Sequence, residues 1–479
     1  MVNFTIMQYF EWYLANDSTL WNKVTKEAEK LSNIGITHIW LPPAYKGSGG
    51  KDDVGYGVYD LYDLGEFNQK GTIPTKYGTK DEYLNSIKAL KQNNIKILVD
   101  IVFNHKMGAD ETEIVLACQD DPNNRNVSLT EAKPIKAWTK YNFPERNNMY
   151  SDFKWNWTHF HGIDWDENTG TTSIYKFYGK QWDESVDKEH GNYDYLMGAD
   201  IDLNNYDVRT ELKKWGMWYL NLTEADGFRL DAVKHIRSDF FVEWLDYLKK
   251  ETGKELFSIG EYWSTNTDIL NKYIENTNAC MSLMDVALHY NFHRASISNG
   301  EYNMSSIFEN TLVERNPEKA ITFVDNHDTQ LGQALESWVS DWFKPLAYSL
   351  ILLRKDGIPC VFYGDYYGTK DTSKKNEIID LLMKLRKDFA YGEQIDYFYN
   401  QNVIGFTRMG DDEHPNSGLA VVMTDAHGGC IQMNVGKKLA NTILHDCTGN
   451  LSETVYVDNE GNGIFYCKDG SVSIWVKNI

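Results

Sequence analysis

The sequence predicts an α/β fold: a parallel (β/α)8 barrel of the TIM type, a small inserted domain after its third strand, and a C-terminal antiparallel β-sandwich domain. Three observations predict it. Short apolar runs alternate with longer amphipathic stretches along most of the chain; the stretch 105–206 breaks that rhythm; and from about residue 393 the pattern changes to short β-type segments between Gly and Asn turns. At 479 residues the chain also exceeds what one ordinary core accommodates.

The apolar runs FTIMQYF (4–10), THIWLP (37–42), IKILVDIVFN (95–104), DGFRLD (226–231), LFSIGE (256–261), CMSLMDV (280–286), ITFVDN (321–326) and IPCVFYGD (358–365) read as the barrel strands. Helical patterns lie at 20–35, 81–94, 208–222 and 238–253, most of them stopping at Gly or Asn. A structureless stretch as long as 105–206 is improbable inside a compact protein, so it reads as a small domain, stapled by a metal ion, on the wall of the barrel mouth. The predicted division is 1–104 and 207–392 for the barrel, 105–206 for the insertion, and 393–479 for the all-β domain.

Acidic residues outnumber basic ones by 69 to 48, a net charge of −21 that opposes nucleic acid and anionic membrane as partners. The opening MVNFTIMQYFEWY carries no secretory signal pattern, and the longest apolar run, PLAYSLILL at 345–353, is too short to span a bilayer. The six cysteines lie far apart without a CxxC pair, which predicts free thiols in a reducing compartment. With Met1 present, a cytoplasmic protein is expected, as a monomer. The 30 Tyr and 15 Trp include many in Gly/Asp/Asn-rich stretches, where flat rings suit either stacking on sugar faces or filling irregular cores.

Three of the runs place an acid at or just past their end: Asp231, Glu261 and Asp328. At the C-terminal ends of barrel strands these carboxylates converge, and such convergence suits chemistry at an acetal carbon, where a proton is given and positive charge stabilised. Arg229, two residues before Asp231, is expected to hold that carboxylate charged and its pKa low, as a nucleophile requires. Tyr262 and Trp263 are expected to desolvate Glu261 and keep it protonated. His327 is a candidate hydrogen-bond donor beside Asp328. Asp100, Asn104 and His105 share the third strand end, with His105 a candidate donor to a sugar hydroxyl. Asp194, Asp200 and Asp202 crowd into nine positions, and with Asn104 they form an oxygen-only set suited to calcium; a solvated acidic turn accounts for the same pattern. The Gly clusters at 47–57 and 427–429 lack phosphate-loop spacing, and no GxSxG or HExxH occurs.

The segments DIVFNH (100–105), GFRLDAVKH (227–235), GEYW (260–263) and FVDNHD (323–328) together resemble the four main sequence regions of the alpha-amylases, in the retaining α-glucan hydrolase clan, close to the bacterial liquefying type. The likeness extends to MQYFEWY (7–13), DVGYGVYDLYDLGEF (53–67), NYDYLMGADID (192–202) and VFYGDYYGTK (361–370). It implies endo-hydrolysis of α-1,4-glucosidic bonds in starch, glycogen or maltodextrin, with Asp231 as nucleophile, Glu261 as acid then base, and Asp328 as stabiliser. Retention further implies carboxyl groups of Asp231 and Glu261 about 5–5.5 Å apart. Arg229, His105 and His327 would contact the sugar at the cleavage point, with Tyr56 stacked beneath it; Lys234, His235 and Trp263 would serve the leaving-group side. A main calcium would be held by Asn104, Asp194, Asp200 and the His235 carbonyl.

Departures from that pattern concern further ions. Asp183 and Asp202 match a second cation site, yet His161 and Asn204 stand where it has Asp; at a third site Gly300, Tyr302 and Asp425 match, whereas Asn402 replaces a carboxylate. One calcium is therefore expected. Competing functions are a maltooligosaccharide-forming amylase, a glucan transglycosylase, and a non-catalytic glucan-binding protein on the same fold; the last is disfavoured because all three acids remain.

Overall fold

The structure, a computed structural model, describes residues 3–477; Met1, which entered the expectation of a cytoplasmic location, lies outside them. Eight parallel strands close a barrel: Ile6–Gln8, His38–Leu41, Lys96–Ile101, Gly227–Leu230, Phe257–Gly260, Ser282–Met284, Ala320–Phe323 and Ile358–Phe362. Each falls within or overlaps one of the eight predicted runs and is shorter than it. The ring closes where Ile6 registers with His38 on one side and Cys360 on the other. Nearly every strand residue is buried, because helices cover the outside while side chains fill the inside, and this produces continuous apolar runs in place of alternation.

The four predicted helices are present at Leu20–Asn33, Lys80–Gln92, Tyr206–Thr223 and Ser238–Thr252. Thr79 and Glu82 form a reciprocal capping box at the start of the second, and Gly253, with φ of 67°, ends the fourth in the left-handed conformation. The third ends instead on left-handed Glu224, whose carboxylate accepts from Lys91 at 2.8 Å. Further helices include Thr267–Asn276, Val286–Ile297, Lys344–Leu353 and Asn376–Asp388. Lys344–Leu353 contains the apolar run noted above and is buried on every residue but Pro345, so it shows no amphipathic period.

The interruption after the third barrel strand is β-rich. Strands His105–Lys106, Ala199–Ile201, Phe160–Asp166, Thr171–Phe177, Glu111–Asp121 and Asn124–Ser128 form one antiparallel sheet in that order, with Lys133–Lys140 paired to Glu111–Asp121. Asp200 registers directly with His105, so this sheet grows from residues at the barrel mouth. Beyond the barrel, a six-stranded sheet built from segments between Gln394 and Val476 packs against the antiparallel ribbon Gly429–Asn434 and Asn462–Cys467. Met433, Phe465 and Trp475 are buried between the layers. All six cysteines are free, as expected.

Candidate active site

A cleft of about 1500 Å³ opens over the barrel's C-terminal strand ends, and Asp231, Glu261 and Asp328 all line it. Their placement follows from the barrel register. Arg229 lies opposite Asp100 on one neighbouring strand and Ile259 on the other, so the guanidinium emerges between the acids. Its Nη1 donates to Asp231 Oδ1 at 2.6 Å and Asp100 Oδ1 at 3.0 Å, while Nη2 lies 2.9 Å from Glu261 Oε2. Trp40 Nε1 and the Tyr56 hydroxyl close the other oxygen of Asp100 at 2.8 and 2.9 Å. The strand end after Asp231 turns sharply: Ala232 is left-handed with φ of 49°, and its amide donates to Glu261 Oε2 at 2.9 Å. A non-glycine residue held there, beside the two acids, marks a backbone shaped for the site.

Electrostatics overturn one expectation. Burial pushes the Asp231 carboxyl up to about 6; Arg229 pulls it down, but Asp100 adds a second upward push. The predicted low value fails because Arg229 is shared among several buried acids. Glu261 is also raised, by burial and by Asp231 against the pull of Arg229, and Asp328 is raised well above the carboxylate range by burial and Glu261. The ring of Tyr262 turns to Tyr273, 5.0 Å between centroids, and its hydroxyl donates to Asp187 at 2.5 Å.

The flanking residues also gather here. His327 Nδ1 accepts from Gln8 Nε2 at 3.0 Å, leaving its Nε2 3.3 Å from Asp328 Oδ2; burial holds the ring neutral. Tyr56 stacks on His327 with 5.1 Å between centroids, and Trp12 lies parallel to Tyr56 at 6.0 Å. His105 lines the cleft, yet Nε2 donates to the Tyr56 carbonyl at 2.9 Å and Nδ1 accepts from Asn104 at 3.3 Å. Both ring nitrogens are thus engaged within the protein. Lys234 pairs with Glu189 at 2.9 Å, and His235 Nδ1 meets the Tyr193 carbonyl at 2.7 Å. Trp263 lines the same wall. Sequence reading missed Trp12, Asp187 and Glu189; of these only Trp12, within MQYFEWY, sat in a segment with any signal.

The acids read as metal ligands surround an imidazole. His161 Nδ1 lies 2.9 Å from Asp200 and 3.2 Å from Asp194, and Nε2 lies 3.0 Å from Asp202. Burial opposes a charge on His161, but contact with Asp194, Asp200 and Asp202 outweighs it and drives the ring well up. Asp202 also takes Lys180 at 2.5 Å; Asp183 takes the Asn204 amide, with Arg237 at 3.8 Å. Asp200 nevertheless stays well above its ordinary value, through burial and the adjacent Asp194. Buried, oxygen-rich and short of positive charge, the Asp194–Asp200 side fits a hard cation. Asn104 is next to it, its carbonyl accepting from the Ile201 amide at 3.0 Å. At the third position Asn402 Nδ2 donates to the Gly300 carbonyl at 2.7 Å and Asp425 at 3.0 Å.

Buried carboxylates at the C-terminal mouth of a parallel barrel, around one guanidinium and aromatic faces, define a glycoside hydrolase. Two family models match: alpha amylase, catalytic domain, over 18–397 and alpha-amylase C-terminal over 419–476. An alpha-amylase of Geobacillus stearothermophilus is 54% identical over 479 residues, covering 99% of this chain and 87% of that protein. A cytoplasmic alpha-amylase of Escherichia coli is 44% identical and covers 99% of both chains. A solved Anoxybacillus alpha-amylase superposes with a TM-score of 0.65 at 17% identity, covering 99% of this chain and 97% of that one, which speaks to the fold alone. The chain belongs to the alpha-amylase family.

Proposed function

We propose that this enzyme hydrolyses internal α-1,4-glucosidic bonds of glycogen, starch or maltodextrin with retention at the anomeric carbon. The observation that carries this reading is the attachment of Asp231 and Glu261 to the two Nη atoms of Arg229. One guanidinium among Asp100, Asp231 and Glu261 cannot neutralise them all, so the cluster keeps a proton near neutral pH while Asp231, at about 6, is mostly ionised. The Asp231 carboxylate attacks the anomeric carbon as Glu261 gives its proton to the departing glycosidic oxygen, leaving a glycosyl ester. Glu261, now a carboxylate, takes a proton from water; that water attacks the same carbon, expels Asp231 and restores both groups. Asp328 and His327 face the sugar hydroxyls, Tyr56 and Trp12 its flat face.

Asn104, Asp194, Asp200 and the His235 carbonyl would hold one calcium, which supplies structural charge between the inserted sheet and the barrel. Asp194 and Asp200 share the single Nδ1 of His161, whereas Asp202 has both His161 Nε2 and Lys180, and Asp183 takes the Asn204 amide. The division at 104/105, 206/207 and 392/393 is supported by the inserted sheet opening at His105 and the barrel helix beginning at Tyr206. A cytoplasmic location is supported by the named Escherichia coli relative and six free thiols.

Asp231→Asn and Glu261→Gln, assayed with the parent on soluble starch, test the assignment. Each should lose several orders of magnitude in kcat/KM. Near-parent turnover in either variant would overturn it. Chain lengths followed over time should fall rapidly with mixed products, and NMR should show the α-anomer first.

A further inference from the structure

Under the loop that carries His327 and Asp328 lies a buried ionic triad that the reaction itself does not use. Lys344, 1% exposed, places Nζ 2.8 Å from Asp325 Oδ2 and in contact with Asp365 Oδ1, over the Trp338 ring. The position is costly twice over. The ammonium is withdrawn from water, and it stands at the first residue of the helix Lys344–Leu353, where the helix dipole repels a cation. A methionine would fill the space without either penalty, although it would leave Asp325 and Asp365 buried without a counter-charge.

What the triad joins is specific. Asp325 follows the seventh barrel strand and accepts the Thr329 hydroxyl at 2.9 Å and the Val339 amide at 3.3 Å. Thr329 Oγ1 in turn accepts the Asn326 amide at 3.0 Å, while Asn326 Oδ1 accepts the amides of Asp328 and Thr329 at 2.9 and 3.0 Å. Asp328 therefore sits inside a closed turn, Asp325 to Thr329, whose outer carboxylate is fastened to Lys344. Asp365, just past the eighth strand, takes the other side of the ammonium and the Tyr348 hydroxyl at 2.6 Å. One amino group thus sets the turn bearing Asp328 against the neighbouring strand end.

We propose that Lys344 is a positioning residue, which through Asp325 and Thr329 aims Asp328 at the reacting sugar. The inference rests on the role given to Asp328 above. Lys344→Met and Thr329→Val are compared with the parent and with Asp328→Asn on a chromogenic maltoheptaoside, well below each variant's melting temperature. Both should lose about ten- to a hundredfold in kcat with KM within about twofold, as expected of a group misplaced by a fraction of an ångström to an ångström. A purely structural role would lower the melting temperature and leave kcat in place. Thr329→Val removes one hydroxyl and no charge, so it decides the matter if Lys344→Met does not fold. Parent-like kcat in folded Thr329→Val overturns the inference; parent-like turnover in Asp328→Asn overturns the role of Asp328 instead.

Discussion

Arg229 donates to Asp231 at 2.6 Å while its other Nη reaches Glu261 at 2.9 Å, so the two acids titrate against a shared cation. Removing a proton from one changes the pull that the other experiences. Their pH behaviour belongs to the group, and it is the most direct readout of the site.

The pH profile of kcat/KM should be bell-shaped. Asp231 must be charged, and with its carboxyl near 6 the acidic limb should fall below about pH 6. Glu261 must be protonated, and its upward displacement places the alkaline limb well above an ordinary glutamate. Stopped assays from pH 4 to 10 check both limbs. An acidic limb near pH 4 would contradict the shared-cation electrostatics.

Asp231→Asn should stabilise the protein as it inactivates it. A carboxyl raised from 3.8 to about 6 on folding favours the protonated native state. Its contribution is complete below about pH 4 and is lost as pH rises through 6. Asparagine cannot ionise and keeps that stability at pH 7. Thermal melts at pH 7 and pH 4 should show a gain at the first and none at the second.

Chelation should lower the melting temperature, and about one equivalent of calcium per chain should restore it. An ion at a hundred times its dissociation constant stabilises the folded state by about 2.7 kcal/mol. Elemental analysis of the dialysed protein gives the stoichiometry. Two or more tightly held ions would refute the reading that His161 and Asn402 occupy the further positions.

Thiol chemistry should separate the cysteines. Cys430 is exposed, whereas burial pushes Cys280 and Cys467 up to about 11 and Cys360 and Cys447 up to about 12. Native protein should react first at Cys430, and denatured protein should titrate all six. Mass spectrometry after a short alkylation pulse checks the order.

The barrel was legible because its strands are buried on both faces and its early helices are amphipathic. Lys344–Leu353 was not: a helix buried all round carries no 3.6-residue period. The inserted strands escaped notice because one-sided sheets rich in charge, such as Glu111–Asp121, look like loops. At the site, Asp231, Glu261 and Asp328 came from local pattern. The error over Asp231 was one of counting: Arg229 and Asp231 are neighbours in sequence, whereas Asp100 arrives only through the barrel register. Glu189 and Asp187 carry no local signal, since their partners Lys234 and Tyr262 lie 45 and 75 residues away.

The nitrogens of His161 and Asn402 are covalently part of the chain, and this sets them apart from any dissolved ion. A bound ion is in exchange with its surroundings, and its contribution rises and falls with supply. An imidazole or amide contributes at unit occupancy from the moment the chain folds. At these two places cohesion is encoded in the gene and is independent of the supply of divalent ions.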